Sequence, residues 1–320
     1  MRNQLPLSAL ATALACSFAS APANARARVF VASYGNDGNP CTFGSPCKTF
    51  QAAVNAVDVG GEVTAIDSAG FGPISINKSV TITSPAGVEA GVVPAAGGDG
   101  VDINIGPSDA VVLRGLTMNG SSGGNNGIVS KTGGNLTVID CVVQNFLFDG
   151  IQLAPTSGFI NFTITNTTVV NNFNVGIDYF SPSGSPSANG VIDHVIAIGN
   201  SQGIGVNTFN TSGGTTNINI CNSVVANNGG VGIFLEDGPT LMTVTIDNAL
   251  ISDNGGSGII ASNVTGSQMT VELGRSVITN NSVGVANLMS RNGFFSYGDN
   301  RINSNPQGDI TSPLNPLALK

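Results

Sequence analysis

The sequence predicts an all-β solenoid, a single-stranded right-handed parallel β-helix with a short capping helix at its N-terminal end. Three observations predict it: a glycine followed by Ile or Val recurs about every 26 residues, short β-branched runs lie between the copies, and Asn or Asp precedes most copies. The 320 residues include 43 glycines and no tryptophan, which is typical of a repeat protein and unusual for a compact enzyme.

The repeat is defined by its glycines, and the copies begin at Gly127, Gly150, Gly176, Gly203, Gly232, Gly258 and Gly284, with a degenerate last copy at Gly308. This period fits one coil of three short strands, and runs such as 136–139 and 162–165 have the composition of strands. Leucine-rich repeats share the period but need a Leu-x-x-Leu-x-Leu pattern, which these copies lack.

Residues that readily adopt positive φ stand ten places before each repeat glycine from Gly150 onward: Asp140, Asn166, Asp193, Asn222, Asn248, Gly274 and Gly298. We expect a tight corner between strands at this column. Because the distance of ten residues is constant, all variation in repeat length should lie between the Gly-Ile strand and the next corner.

A second column, five residues before the glycine and one place later, is rich in asparagine: Asn145, Asn171, Asn227, Asp253 and Asn303, then Asn172, Asn228, Asn254 and Asn280. Stacked amides at equivalent corners can hydrogen-bond from coil to coil, so we predict an asparagine ladder.

Alternation places two further columns inside the solenoid. They are Ile151, Ile177, Ile204, Ile233, Ile259 and Val285, and two residues further on Leu153, Tyr179, Val206, Leu235 and Ala261. Upstream, 74–76 and 80–83 are predicted as early strands. Residues 49–57 place Phe50, Ala53, Val54 and Val57 at helical spacing, which predicts the capping helix.

The N-terminus is typical of an export signal, with Arg2, an apolar stretch over 5–18 and a small-x-small site at 23–25. A lipoprotein signal at Cys16 is the alternative. We therefore divide the chain into a signal peptide (1–25), an N-terminal segment with the capping helix (26–60), the β-helix (61–310) and a C-terminal tail (311–320), and expect a secreted or periplasmic protein with no membrane span.

The cysteines fit this compartment. Cys41 and Cys47 lie in a short Gly/Pro-rich loop and are predicted to form a disulfide in an oxidising environment. Cys141 and Cys221 lie three coils apart, roughly 14 Å at one strand spacing per coil, which is too far for a disulfide. We expect both to be free, buried thiols.

Charge excludes two partners. A formal net charge of -8 with only 9% charged residues provides neither a basic footprint for nucleic acid nor a Lys/Arg-rich face for anionic membranes.

The Gly-Ile repeats and the asparagine column resemble the pectate-lyase-like right-handed β-helix superfamily over nearly the whole mature chain. The start of the chain, from Cys41 to Phe50, is also similar to the helix cap of exported right-handed β-helix repeat proteins. Most activities of the superfamily act on acidic polysaccharides, by Ca²⁺-assisted elimination, hydrolysis or epimerisation. The resemblance specifies a fold better than a function.

Catalytic residues of that superfamily are hard to find here. The segment 191–194 resembles the Ile-Asp-His segment of pectate lyases, but the preceding tryptophan is absent and Asp193 falls in the corner column, so we interpret Asp193 as a turn residue and His194, the single histidine, as an outer residue. The aspartate cluster, Gly-His-Gly and Arg-x-Lys of polygalacturonases are missing. No metal-ligand cluster is recognisable, so we expect no cofactor; a lyase would need Ca²⁺ held by several carboxylates.

The variable loops suggest a working face. Segments 181–187 and 209–214 should wall one edge of the Gly-Ile sheet, whose outward residues are our candidate ligand-binding set: Gln152, Asp178, Phe180, Asn207, Phe234 and Glu236. As a catalytic pair Asp178 and Glu236 look poor, because their Cα atoms should lie about 12 Å apart. A plain solvated sheet face is the alternative for the whole set.

Three functions follow from these residues. The leading hypothesis is a protein that binds polysaccharide or a cell-surface glycan without a recognisable catalytic set. The second is a divergent polysaccharide lyase acting on uronate polymers through His194 and a groove carboxylate, and the third is a surface or adhesion spacer.

Overall fold

The computed structural model describes residues 26–264, 267–290 and 293–318. The expected signal peptide, 1–25, and Cys16 lie outside the described residues. Within those ranges no helix combines the length and apolar character needed to cross a membrane.

The chain winds into a parallel β-solenoid of three sheets, which confirms the predicted fold class. All strand pairs among the described residues are parallel, and each complete coil contributes one strand to each sheet. The twelve strands of the long sheet are β1 (Arg28–Val31), β2 (Glu62–Ala65), β5 (Val80–Thr83), β8 (Ala110–Arg114), β11 (Gly134–Ile139), β14 (Phe159–Thr165), β17 (Ser187–Asp193), β20 (Thr215–Cys221), β23 (Leu241–Asp247), β26 (Gln268–Gly274), β29 (Phe294–Ser296) and β31 (Asn315–Pro316).

The short sheet follows the long sheet in each coil. Its ten strands are β3 (Ala69–Gly70), β6 (Ala90–Val92), β9 (Leu116–Asn119), β12 (Val142–Gln144), β15 (Thr168–Val170), β18 (Ile196–Ile198), β21 (Val224–Ala226), β24 (Leu250–Ser252), β27 (Val277–Thr279) and β30 (Arg301–Asn303).

The Gly-Ile sheet completes each coil. Its nine strands are β4 (Ile74–Ile76), β7 (Val101–Ile103), β10 (Ile128–Ser130), β13 (Ile151–Leu153), β16 (Val175–Phe180), β19 (Gln202–Asn207), β22 (Ile233–Asp237), β25 (Ser257–Asn263) and β28 (Val283–Leu288). Both inward columns predicted from alternation are buried, from Ile151 to Val285 and from Leu153 to Ala261, so the side-chain period was correctly assigned.

The N-terminal end is closed by helix α1 (Phe50–Ala56), as predicted. The Thr49 hydroxyl caps it by accepting a hydrogen bond from the Ala52 N–H at 3.2 Å, and the ring of Phe50 packs on that of Phe71 with centroids 5.0 Å apart. Gln51 reaches β4, the edge strand of the Gly-Ile sheet: its Oε1 accepts from the Ser75 N–H at 2.7 Å.

Paired strands occur on both sides of the range 61–310. Strand β1 precedes the helix and pairs with β2, and β31 lies in the segment expected as a tail and pairs with β29. Neither strand carries a Gly-Ile copy to align on. Cys41 and Cys47 are joined by a disulfide with Cα atoms 4.6 Å apart. The backbone of Cys47 also forms an isolated parallel β-bridge with Val31, the last residue of β1.

The first corner column differs from the prediction at two coils. The positive-φ residues are Asp140, Asn166, His194, Asn222, Asn248, Arg275 and Gly298, so His194 and Arg275 occupy the corner where Asp193 and Gly274 were expected. Register explains the shift, because Asp193 pairs with Thr165 and Cys221 as the last residue of its strand.

The constant distance of ten residues is therefore wrong. The second corner has positive φ at Asn145, Asn171, Gly199, Asn227, Asp253, Asn280 and Ser304. The turn between this corner and the repeat glycine is one residue shorter before Gly203 and Gly284 than before Gly150. Repeat length thus varies on both sides of the Gly-Ile strand, although the large insertions do follow it.

The asparagine ladder exists, with a different membership. Its buried rungs are Asn172, Asn200, Asn228, Asn254, Asn281 and Asn305. From Asn200 onward each amide oxygen accepts from the preceding rung's backbone N–H, as in the 3.0 Å contact from Asn200 N to Asn228 Oδ1. As far as Asn281 each amide nitrogen donates to the next rung, as from Asn228 Nδ2 to Asn254 Oδ1 at 2.9 Å. Counting back from Gly284 placed Asn280 in the ladder. The ladder residue of that coil is Asn281, because the turn before Gly284 is one residue shorter than the turn before Gly150.

Cys141 and Cys221 are both free, but only Cys141 is buried. Cys141 follows the positive-φ residue of its corner and points inward, whereas Cys221 precedes it and is partly exposed, so the expectation of a buried thiol at Cys221 is wrong. Burial raises the pKa of each thiol to about 11.

Candidate functional site

The outer face of the Gly-Ile sheet brings the six candidate residues together. Gln152 pairs with Asp178 on the next strand, Phe180 pairs with Asn207, and Asn207 pairs in turn with Glu236. Phe234 joins them through Gly205, which is paired with Asp178 on one side and Phe234 on the other.

We call the outward residues of β16, β19 and β22 the central patch: Asp178, Phe180, Gly205, Asn207, Phe234 and Glu236. Two columns run across it, Asp178–Gly205–Phe234 and Phe180–Asn207–Glu236. The carboxyls of Asp178 and Glu236 therefore occupy one diagonal, and the two phenylalanine rings occupy the other. Gly205 leaves a depression between them because it has no side chain.

Asp178 leans into that depression. Its Oδ1 lies 2.6 Å from the position that a Cβ would take at Gly205. Among the residues that the structure describes, none hydrogen-bonds to this carboxyl. Burial, and secondarily the charge of Asp149, raise the pKa of Asp178 to about 8, which favours the protonated form of this carboxyl.

Asp149 is a buried carboxyl beside the central patch that sequence reasoning missed. It is only 2% exposed, and three donors bind it: Gln152 Nε2 at 2.7 Å, Asn174 Nδ2 at 2.8 Å and the Val175 N–H at 3.0 Å. Burial also raises the pKa of Asp149, and two nearby carboxyls resist being ionised together. The available signal was an aspartate directly before Gly150, a pattern that recurs at Asp99 before Gly100.

Glu236 is held from the opposite side. Its Oε2 accepts a hydrogen bond from Asn207 Nδ2 at 3.0 Å, and Asn207 Oδ1 accepts from the Phe209 N–H at 2.9 Å. The loop that begins at Phe209 therefore fixes the Asn207 amide, which fixes the carboxylate of Glu236. Gln152, by contrast, is occupied by its bond to Asp149 at the margin of the central patch.

The two variable loops stack along one margin, as their position after the Gly-Ile strands predicted. The Ser212 N–H donates to Gly184 O at 2.7 Å, and the hydroxyls of Ser185 and Ser212 lie 3.1 Å apart. Beneath them Asp237 is fully buried and accepts from Thr208 Oγ1 at 2.8 Å; burial raises the pKa of Asp237.

Charges on this face are mainly acidic. Lys131, directly after β10, is the basic side chain of the described part of the face, and its Nζ lies 3.0 Å from Asp102 Oδ2, so it is already paired. The described ranges contain no group of three or more His, Cys, Asp or Glu arranged to hold a metal ion.

Asp193 and His194 lie elsewhere, at the corner between the long and short sheets. Asp193 Oδ2 is 2.8 Å from His194 Nδ1, and its Oδ1 accepts from Asn222 Nδ2 at 2.7 Å. The bond from Asn222 is the main reason that the pKa of Asp193 is lowered. The structure does not bring this pair together with the central patch, since the Gly-Ile sheet is a different face of the solenoid.

No protein-family model matches the chain, and no curated protein matches it. Solved structures similar to it include pectate lyase Pel9A (18% identity, 81% of this chain and 67% of that chain, TM-score 0.47). A rhamnogalacturonan lyase is similar at 12% identity (79% and 74% covered, TM-score 0.47), as is the A-module of the mannuronan C-5 epimerase AlgE4 of Azotobacter vinelandii at 15% identity (82% and 91% covered, TM-score 0.45). These are proteins of the kind that the sequence resembles; similarity at this level carries no residue role to this chain.

Proposed function

We propose that this protein is exported and binds a neutral polysaccharide along the outer face of its Gly-Ile sheet. The observation that carries the proposal is the central patch, where two partly buried phenylalanine rings flank the depression at Gly205 beside hydrogen-bonding groups. Aromatic rings offer a flat apolar surface to the C–H face of a sugar, while carboxyl and amide groups bind its hydroxyls.

The shape of the face suits a polymer. Nine parallel strands spaced about 4.8 Å apart give a surface roughly 38 Å long, which accommodates several sugar units in a row. The stacked loops after β16 and β19 form a margin along one side of its centre, so a bound chain would run across the strands and parallel to the solenoid axis.

Charge supports a neutral ligand over a uronate. Glu236 lies on the face with no cation paired to it among the described residues, the basic residue Lys131 is already paired with Asp102, and the whole chain carries a formal net charge of -8. An anionic polymer would bring one negative charge per sugar to a surface with no free cation among its described residues, and like charges repel.

Export is supported by the composition of residues 1–25 and by the disulfide between Cys41 and Cys47, because such bonds persist in oxidising compartments. A secreted or periplasmic location also places the protein where polysaccharides and cell-surface glycans occur. Fractionation of the producing cells, with sequencing of the N-terminus of the mature chain, tests this part and should find Arg26 first.

The binding test is isothermal titration calorimetry with laminarin, xylan, galactomannan and arabinogalactan, alongside polygalacturonate and alginate with and without Ca²⁺. We expect binding to at least one neutral polymer and its loss in the double variant F180A/F234A. The variant F173A is the matched control, because Phe173 is exposed at a corner outside the central patch.

Other outcomes would contradict the proposal. Binding of uronates alone, with unsaturated products appearing in the ultraviolet, would favour the polysaccharide lyase that the sequence left as the second hypothesis. Failure to bind any polymer, with F180A/F234A equal to the wild type, would favour the adhesion spacer.

A further inference from the structure

The two carboxyls of the central patch lean toward the same strand. Asp178 belongs to β16 and Glu236 to β22, two coils apart, so their backbones are well separated. Between them runs β19, and Asp178 Oδ1 lies 2.6 Å from the Cβ position of Gly205 while Glu236 Oε2 lies 3.0 Å from Asn207 Nδ2. The Asp178 carboxyl therefore ends above β19, and the Glu236 carboxyl binds the amide side chain that β19 carries.

The separation of the two carboxyls follows from the strand repeat. Gly205 and Asn207 are two residues apart on one face, a distance of about 7 Å in a β-strand. With the further 3.0 Å of the hydrogen bond from Asn207 to Glu236, the two carboxyls should be roughly 7–10 Å apart, which is shorter than the 12 Å estimated between their Cα atoms. Carboxyl pairs of inverting glycosidases lie about 6.5–9.5 Å apart, leaving room for a water molecule between the base and the sugar.

We propose that Asp178 and Glu236 hydrolyse a glycosidic bond of the bound polysaccharide with inversion, Asp178 as the general acid and Glu236 as the general base. This inference rests on the proposed function, because the polymer must lie across the central patch. The sugar whose bond is cleaved would sit over Gly205, between the rings of Phe180 and Phe234.

The step balances with water as the second reactant. The carboxylic acid of Asp178 transfers its proton to the glycosidic oxygen as the bond from that oxygen to the anomeric carbon breaks. A water oxygen bonds to the anomeric carbon from the opposite face and gives a proton to the carboxylate of Glu236. Two chain ends are released, and proton exchange with solvent returns Asp178 to the acid and Glu236 to the carboxylate.

The surroundings of the two groups assign the roles. Asp178 has no hydrogen-bond donor among the described residues, it is partly buried, and it lies near Asp149, all of which favour its protonated form. Glu236 receives an N–H from Asn207, which suits a carboxylate. Asn207 is a positioning residue, since it acts through Glu236.

The test measures cleavage and binding separately on the full chain. Each neutral polymer that binds is incubated with the protein, reducing ends are counted, and proton NMR follows the anomer formed first. We expect new reducing ends of inverted configuration. D178N and E236Q should each retain binding within about threefold and lose at least 100-fold in rate, the size typical of general acid–base catalysis.

Controls keep the outcomes distinct. D102N removes a carboxyl of the same face outside the pair and should leave the rate unchanged. N207D should shift the pH profile, and N207A should lower kcat more than it raises KM. Binding without new reducing ends, product of retained configuration, or full activity in D178N would overturn the inference while leaving the binding proposal standing; failure to bind any polymer would refute the proposed function itself.

Discussion

The carboxyl of Asp178 occupies the space that a side chain at Gly205 would need. A Cβ at Gly205 would meet Asp178 Oδ1 at 2.6 Å, so Gly205→Ala must displace the carboxyl from the depression. We expect at least a tenfold loss of polysaccharide affinity or cleavage, with the free energy of unfolding changed by no more than about 2 kcal/mol, because the obstructing atom ends a side chain. Titration calorimetry and thermal unfolding measure the two effects.

Gly70→Ala is the matched control for Gly205→Ala. A Cβ at Gly70 has no neighbour within 4 Å, so this variant should behave as the wild type. If Gly205→Ala also binds and cleaves normally, the position of the Asp178 carboxyl has no part in recognition.

Stability should fall as the pH rises from about 4 to 8. The folded pKa of Asp178 is raised to about 8 while its ordinary value is 3.8, so the folded state holds a proton that the unfolded state has released. The stability associated with that proton is complete below pH 4 and is lost through pH 8, at up to about 1.4 kcal/mol per pH unit. Denaturant melts of the wild type and D178N at pH 5, 7 and 9 should show a flatter profile for D178N.

The other acidic groups around Asp178 qualify this slope. Asp149, from the corner before β13, has a raised pKa and contributes in the same direction, so D178N should flatten the profile without abolishing the slope. Among the described residues, Glu236 and the Asp102–Lys131 pair are the remaining charged groups of the face. Identical pH profiles for D178N and the wild type would show that Asp178 is ionised throughout.

The asparagine ladder allows a test on two adjacent residues. Asn228→Leu removes the acceptor of the Asn200 N–H and the donor to Ala197 O, all of them buried, and should lower the free energy of unfolding by roughly 2–4 kcal/mol. Asn227→Gly, at φ 54° and exposed, should cost almost nothing, because glycine adopts that conformation freely. Equal effects in chemical denaturation would argue against the ladder as the stabilising element.

The free thiols should be unreactive at neutral pH. Thiolate is the reactive form, and burial raises the pKa of both Cys141 and Cys221 to about 11. In a C16S background, a disulfide-exchange reagent at pH 7 should label neither residue quickly, and raising the pH should label partly exposed Cys221 before Cys141. Rapid labelling of Cys141 in the folded protein would contradict its placement, and C221S identifies the faster site.

Sequence predicted those parts of the structure that repeat with a fixed period. Ile177 and Leu235 are inside because strands alternate, and that rule is independent of loop length. The residues at the corners were predicted by counting back from each repeat glycine. A turn shorter by one residue therefore put Asp193 and Asn280 in the wrong columns. Register is set by pairing with the neighbouring strand, which is a property of two coils and not of one repeat.

Five residues of the central patch were named from the sequence, whereas Gly205 and the geometry of the patch were not. Alternation placed Asp178 and Glu236 on one face, yet their approach depends on side-chain directions, on the missing side chain at Gly205 and on the amide of Asn207. The role of Asp149 was out of reach for a similar reason, since its donors come from Gln152 in its own coil and from Asn174 and Val175 in the next.

Gln51 covers the exposed edge of the Gly-Ile sheet at the N-terminal end of the solenoid. The side-chain oxygen of Gln51 accepts a hydrogen bond from the Ser75 N–H at 2.7 Å, and its side-chain nitrogen donates to the Ser75 carbonyl at 3.3 Å. The amide of Gln51 therefore takes the place of a tenth strand of the Gly-Ile sheet in bonding to Ser75. An uncovered parallel edge is a template for another chain, and a stack of solenoids joined edge to edge would be a fibre. One side chain thereby opposes polymerisation at this end of the Gly-Ile sheet.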